Sequence, residues 1–96
     1  KEINILLIGC DDTLQHRLLE VLGDRYVLKS IRDMEQGIKK AIKIIPDIIL
    51  IYSNSLYEEV VNICLLLKDH QLSSHIPIIL ILFEINMNTY DLKFQY

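Results

Sequence analysis

An α/β domain, with helices packed on both faces of a mostly parallel sheet, is the fold class expected of this 96-residue chain. Three observations predict it. First, the apolar runs Ile3 to Ile8, Ile48 to Tyr52 and Ile78 to Leu82 are strand-length and lack the two-residue alternation of a strand with one wet face. Such runs suit parallel strands covered on both sides. Second, segments with apolar residues at three- and four-residue spacing separate them. Third, the connections are short, which favours repeated strand–helix units with right-handed crossovers.

The elements follow in order. Ile3 to Ile8 is the first strand, apolar apart from Asn4, and Gly9 to Asp12 interrupts it. Thr13, or Asp12, is placed to cap a helix carrying Leu14, Leu18, Val21 and Leu22, because a short oxygen-bearing side chain satisfies the free N–H groups of a first turn. Gly23 ends that helix. Tyr26 to Ser30 reads as a short strand. Met34, Ile38, Ala41, Ile42 and Ile45 mark an amphipathic helix stopped by Pro46, which opens the third strand. A third helix spans about Tyr57 to Asp69, a polar loop covers Gln71 to His75, and Ile76-Pro77 leads into the fourth strand.

The tail differs. Tyr90, Leu92, Phe94 and Tyr96 alternate with Asp91, Lys93 and Gln95, the pattern of a half-buried strand. Only Glu84 to Thr89 separate it from the fourth strand, whereas a parallel crossover needs at least ~10–12 residues. Within one sheet the last pair is therefore expected to be an antiparallel hairpin. The alternative is a tail that leaves to pair with another molecule.

Composition narrows the functional classes. The chain is 51% hydrophobic with a formal charge of −3, which supports a core and provides no overall electrostatic footprint for nucleic acid or an anionic membrane. Lys39, Lys40 and Lys43 form a small basic group, read simply as a solvated helix face. No apolar run reaches the ~20 residues of a bilayer span, and none reads as a signal peptide. Cys10 and Cys64 fit no metal or redox spacing. These readings favour a cytoplasmic location, without membrane contact, metal or cofactor.

The run Pro46-Asp47-Ile48-Ile49-Leu50-Ile51-Tyr52, its spacing to Ile76-Pro77, and Ile3-Asn4-Ile5-Leu6-Leu7-Ile8-Gly9-Cys10-Asp11-Asp12-Thr13 ahead of the Leu14/Leu18 helix together resemble the receiver domains of two-component response regulators. The resemblance covers residues 3–83, within one domain of residues 1–96, and leaves 84–96 as an atypical tail. It implies a three-layer α/β/α sandwich with a flavodoxin-like parallel sheet in the order 2-1-3-4. The family continues through a fourth helix, a fifth parallel strand and a fifth helix, so the fold is expected to be shortened at its C-terminal end.

Carried over residue by residue, the resemblance implies a degenerate site. The phosphoacceptor aspartate falls on Tyr52. The paired acids that hold Mg²⁺ fall on Gly9 and Cys10. The hydroxyl residue ending the fourth strand falls on Leu82, and Lys93 is a weak counterpart of the lysine ending the fifth. Aspartyl phosphorylation needs a carboxylate, a hard cation on oxygen ligands and a positive group on the phosphoryl oxygens. Gly9 has no side-chain ligand, Cys10 offers a soft one, and an ordinary tyrosine with a pKa near ~10 is a poor nucleophile at neutral pH. The resemblance therefore implies no catalytic residue and a pseudo-receiver: a phosphorylation-independent interaction or dimerisation module in two-component-type signalling or transcription regulation. It would act through a protein partner or output domain, without direct nucleic-acid binding.

Other chemistry is weaker. Asp11 and Asp12 are a candidate residual acidic site, but adjacent carboxylates more commonly cap a helix and favour its positive end. Cys10 invites a phosphocarrier reading, yet its loop lacks the small residues that would cradle a phosphate, and a buried apolar role is favoured. A small-ligand or nucleotide-binding domain is a further alternative, opposed by the missing glycine-rich loop. His16, His70 and His75 stand singly.

The third helix carries an anomaly. Val60, Ile63, Cys64 and Leu67 share one face, while Leu65 and Leu66 fall toward the opposite side. Exposed adjacent leucines mark a contact surface, unless the tail folds over them. The interaction surface is thus expected at Leu65, Leu66, Tyr90, Leu92, Phe94 and Tyr96. An unpaired flank on the fourth strand would be a liability, so a homodimer, with or without exchanged tails, is expected.

Overall fold

The computed structural model describes residues 2–9, 12–53, 57–84 and 89–95. The element order is β1 (Ile3–Ile8), α1 (Asp12–Leu22), a 3₁₀ turn (Gly23–Arg25), β2 (Tyr26–Ile31), α2 (Met34–Ile44), β3 (Ile48–Ser53), α3 (Tyr57–Asp69), β4 (Ile78–Glu84) and β5 (Thr89–Gln95). The strands form one sheet in the order β2-β1-β3-β4-β5. The β2/β1, β1/β3 and β3/β4 pairs are all parallel. Four parallel strands in the order 2-1-3-4, with helices on both faces, make this a flavodoxin-like fold.

Strand parity sorts the core into two layers. On one face Leu6, Ile8, Ile49, Ile51, Ile78 and Leu80 pack against Ala41 of α2 and Val60, Cys64 and Leu67 of α3. On the other, Ile5, Leu7, Leu50, Tyr52 and Ile81 pack with Leu14 of α1, with Leu18 and Leu22 alongside. Each fully buried aliphatic side chain contributes roughly 1.5–3 kcal/mol. β1, β3 and β4 are apolar because both of their faces are covered.

Local chemistry places the ends. Asp33 caps α2 by accepting the Gln36 N–H at 3.0 Å. Asp47 fastens the amino ends of β1 and β3. Its carboxylate accepts the Asn4 N–H at 2.8 Å, and its own N–H donates to the Asn4 carbonyl at 2.8 Å. Past α3, Ser73 is fully buried and donates to the Leu67 carbonyl at 2.5 Å. The Lys68 ammonium donates to the Ile76 carbonyl at 2.7 Å. These bonds fold the turn onto the helix and aim the chain into β4.

Several expectations need correction. Helix α1 begins at Asp12, so Asp12 and Thr13 both lie inside its first turn and neither is the residue that caps it. Ile45 is not a core position of α2. It is the C-cap, left-handed at φ 46° and more exposed than the core, with its N–H donating to the Ala41 carbonyl at 3.0 Å. The helical spacing continues through Ile45, but Pro46 disfavours a helical residue before it. Strands β2 and β4 run on to Ile31 and Glu84, past their expected ends.

The tail forms β5, antiparallel beside β4 of the same chain. Its pairing shifts register between Leu80 and Ile81. Phe94 lies opposite Leu80 and Leu92 opposite Ile81, so Lys93 is the extra residue of a bulge. The strict alternation read from the sequence is broken there.

Candidate functional site

In a parallel α/β sheet, ligand-binding groups collect at the carboxyl ends of the strands. The topology brings three of the singled-out positions to that end on adjacent strands. Gly9 follows β1, Tyr52 is the penultimate residue of β3, and Leu82 on β4 is in register with Ser53. Cys10, Asp11 and Tyr96 lie outside the described residues, and Asp12 opens α1.

Gly9 is held by a close backbone approach. Its φ is +85°, and a Cβ built there would lie 2.5 Å from the Tyr52 carbonyl oxygen and 2.7 Å from the Met34 methyl carbon. Its N–H donates to the Ile31 carbonyl at 2.8 Å, tying the ends of β1 and β2 together. An L side chain here would meet both an unfavourable φ and a fixed backbone oxygen. The chain conformation thus opposes a carboxylate at position 9, a stronger statement than the presence of glycine alone.

Tyr52 is buried, at 7% exposure, within the layer formed by Ile5, Leu7, Leu14, Leu50 and Ile81. Its ring extends the apolar layer to the strand end. The carboxylate of the Pro-Asp run, Asp47, sits at the opposite pole of β3 and is committed to β1. Because β5 is antiparallel, Lys93 lies opposite the middle of β4, away from the carboxyl end of the sheet. Among the described residues no group of three His, Cys, Asp or Glu side chains could hold a metal ion.

Cys64 is buried under α3, and burial pushes its thiol up to about 11 despite the opposing pull of Lys68. It is a packing residue, a neutral thiol at physiological pH. His70 organises the turn after α3, where its Nδ1 accepts the Leu72 N–H at 3.1 Å. Leu65 and Leu66 stand 60% and 59% exposed while the tail pairs with β4, so the tail does not cover them. Leu72, in the adjoining turn, is also exposed, and helical spacing misses it because it lies beyond the helix. The remaining expected surface positions, Tyr90, Leu92 and Phe94, lie on β5. No helix among the described residues is long and apolar enough to cross a membrane.

No protein-family model matches the chain. No curated protein matches it either.

Proposed function

We propose that this chain is a pseudo-receiver, an interaction module of two-component-type signalling that works without phosphorylation and without catalysis. The close approach of Gly9 to the Tyr52 carbonyl carries this reading. The position that would supply an acid for Mg²⁺ has no room for one, and the position that would accept the phosphoryl group holds a buried tyrosine. The losses reinforce one another: restoring one residue would not restore the site.

Function then resides on the surface. The exposed pair Leu65 and Leu66 on α3 is the contact we assign to a protein partner or a second copy of the chain, with the rebuilt β5 edge beside β4 as a second contact. Regulation would come through oligomerisation or an attached output domain in a cytoplasmic setting.

The test is incubation with acetyl phosphate and Mg²⁺, followed by intact-mass and peptide mapping. The expected result is no phosphoryl adduct, in the native chain and in Tyr52→Asp alike. A stable adduct on Cys10 would instead identify a phosphocarrier, and an adduct on Tyr52→Asp would show a site that one substitution can revive. Sedimentation at tens of micromolar tests the surface. A dimer that dissociates in Leu65→Ser/Leu66→Ser is expected, and a strictly monomeric native chain would remove the dimer from the proposal.

A further inference from the structure

Charge is segregated along the chain in a way its mild total hides. Residues 25–43 hold six of the ten Lys and Arg residues but only Asp33 and Glu35 of the thirteen acids, so this segment carries +4 and the rest of the chain −7. The segment forms β2 and α2, at one edge of the sheet.

Two features meet there. Among the described residues strand β2 pairs with β1 alone, leaving its outer side without a strand partner there. The Ile31 carbonyl faces inward to Gly9, and main-chain groups alternate direction along a strand, so Lys29 and Val27 also face β1 while Leu28 turns its N–H and C=O outward. Beside this edge, Gln36, Lys39, Lys40 and Lys43 of α2 join Ile31 around a notch of about 200 Å³. None of these three lysines has an ion-pair partner among the described residues.

We propose that the β2–α2 edge is a docking groove for an acidic peptide in extended conformation. The peptide adds to β2 as a further strand and sets its carboxylates against Lys39, Lys40 and Lys43. Strand addition draws its affinity from main-chain bonds and its specificity from the side chains that alternate along the peptide. Charge complementarity selects the partner. A second copy of β2 is disfavoured, because two +4 edges would face each other. A long nucleic acid is disfavoured by the −7 carried by the rest of the chain. A free inorganic anion would leave the outward main-chain groups of Leu28 unused. The proposal does not rest on the reading of Tyr52.

The experiment is fluorescence anisotropy of the whole chain with a labelled octapeptide of alternating Glu and Val. Saturable binding that weakens with added salt is expected. K39E/K40E/K43E, which changes surface side chains only, should lower affinity by at least about tenfold. N-methylation of the peptide at alternate residues keeps its charge but removes strand pairing, and should abolish binding. The proposal is overturned if the octapeptide does not bind at low salt, if the N-methylated peptide binds equally well, or if the triple variant keeps native affinity. It is also overturned if pyrophosphate or a single-stranded oligonucleotide binds where the octapeptide does not.

Discussion

On the face covered by α2 and α3, every side chain of the central cluster is at most 1% exposed. On the face covered by α1, Ile5, Leu14, Leu50, Tyr52 and Ile81 retain between 4% and 8%, and Ile48 and Ile79 are only partly buried there. Among the described residues of that cluster, only Leu7 of β1 is fully enclosed. The strands are the same and their composition is similar. The difference is the number of covering helices: two on one side, one on the other among the described residues. Burial in this fold is therefore set by the helical layers, and Tyr52 belongs to the thinner one. A large ring suits that place, because it adds cover at the strand end where no second helix is supplied.

The largest expected effect tests this contrast directly. Leu67→Ala, on the sealed face, should cost about 3–5 kcal/mol, and Leu50→Ala, on the thinner face, about 2–3 kcal/mol. Urea unfolding of the two variants measures the gap. Equal losses would mean that the two layers are equally well packed.

Gly37→Ala probes the sealed face from its helix. A Cβ there would lie 2.5 Å from Ile8 Cγ2 and 2.9 Å from Cγ1, and Ile8 is fully buried. Alanine favours a helix over glycine by ~1 kcal/mol, but overpacking costs ~1–3 kcal/mol, so a net loss of about 1–2 kcal/mol is expected. A raised melting temperature would reveal slack between α2 and β1.

Ile45 is a defect at the rim of the same layer. A left-handed backbone costs an ordinary residue about 1–2 kcal/mol, and asparagine tolerates it. Ile45→Asn should therefore stabilise the fold by about 0.5–1 kcal/mol, because the relief exceeds the packing given up by a side chain already 37% exposed. A loss of stability would show that Ile45 seals the layer more than its exposure implies.

The last prediction concerns pH dependence and is confined to alkaline solution. Burial raises Cys64 from 9.0 to about 11, so between those values the unfolded chain has lost this proton and the folded chain keeps it. Stability from this group is complete below pH 9 and falls as pH rises toward 11. Urea midpoints over that range should decline less in Cys64→Ala than in the native chain. Identical slopes would show that Cys64 is less enclosed than the packing indicates.

Much of the fold was legible because it is written in local pattern. Three dry apolar runs, two helices with clear spacing and the Pro46 stop locate β1, β3, β4, α2 and α3 within a residue or two. The helical spacing of α3 separated Cys64 and Leu67 from Leu65 and Leu66 correctly. Ile45 was misplaced because spacing continues past the residue at which Pro46 forbids a helix. The notch beside Lys40 was not legible, since helical spacing does not reveal which strand a basic face lies beside. Nor was the burial of Ser73, whose hydroxyl finds its acceptor six residues back across a turn.

Local pattern determined the order and type of the elements, because backbone hydrogen bonding and side-chain period act over a few residues. It also determined that the last apolar residue of β3 is a phenol and not a carboxylate. Contacts between residues distant in sequence decided the rest: the 2-1-3-4 order, the register that sets Gly9 against the Tyr52 carbonyl, the thin layer over Tyr52 and the open β2 edge beside three lysines. No window of a few residues contains such contacts. They exist only once the layers close and water leaves, so the reason position 9 cannot carry an acid is a distance across two strands.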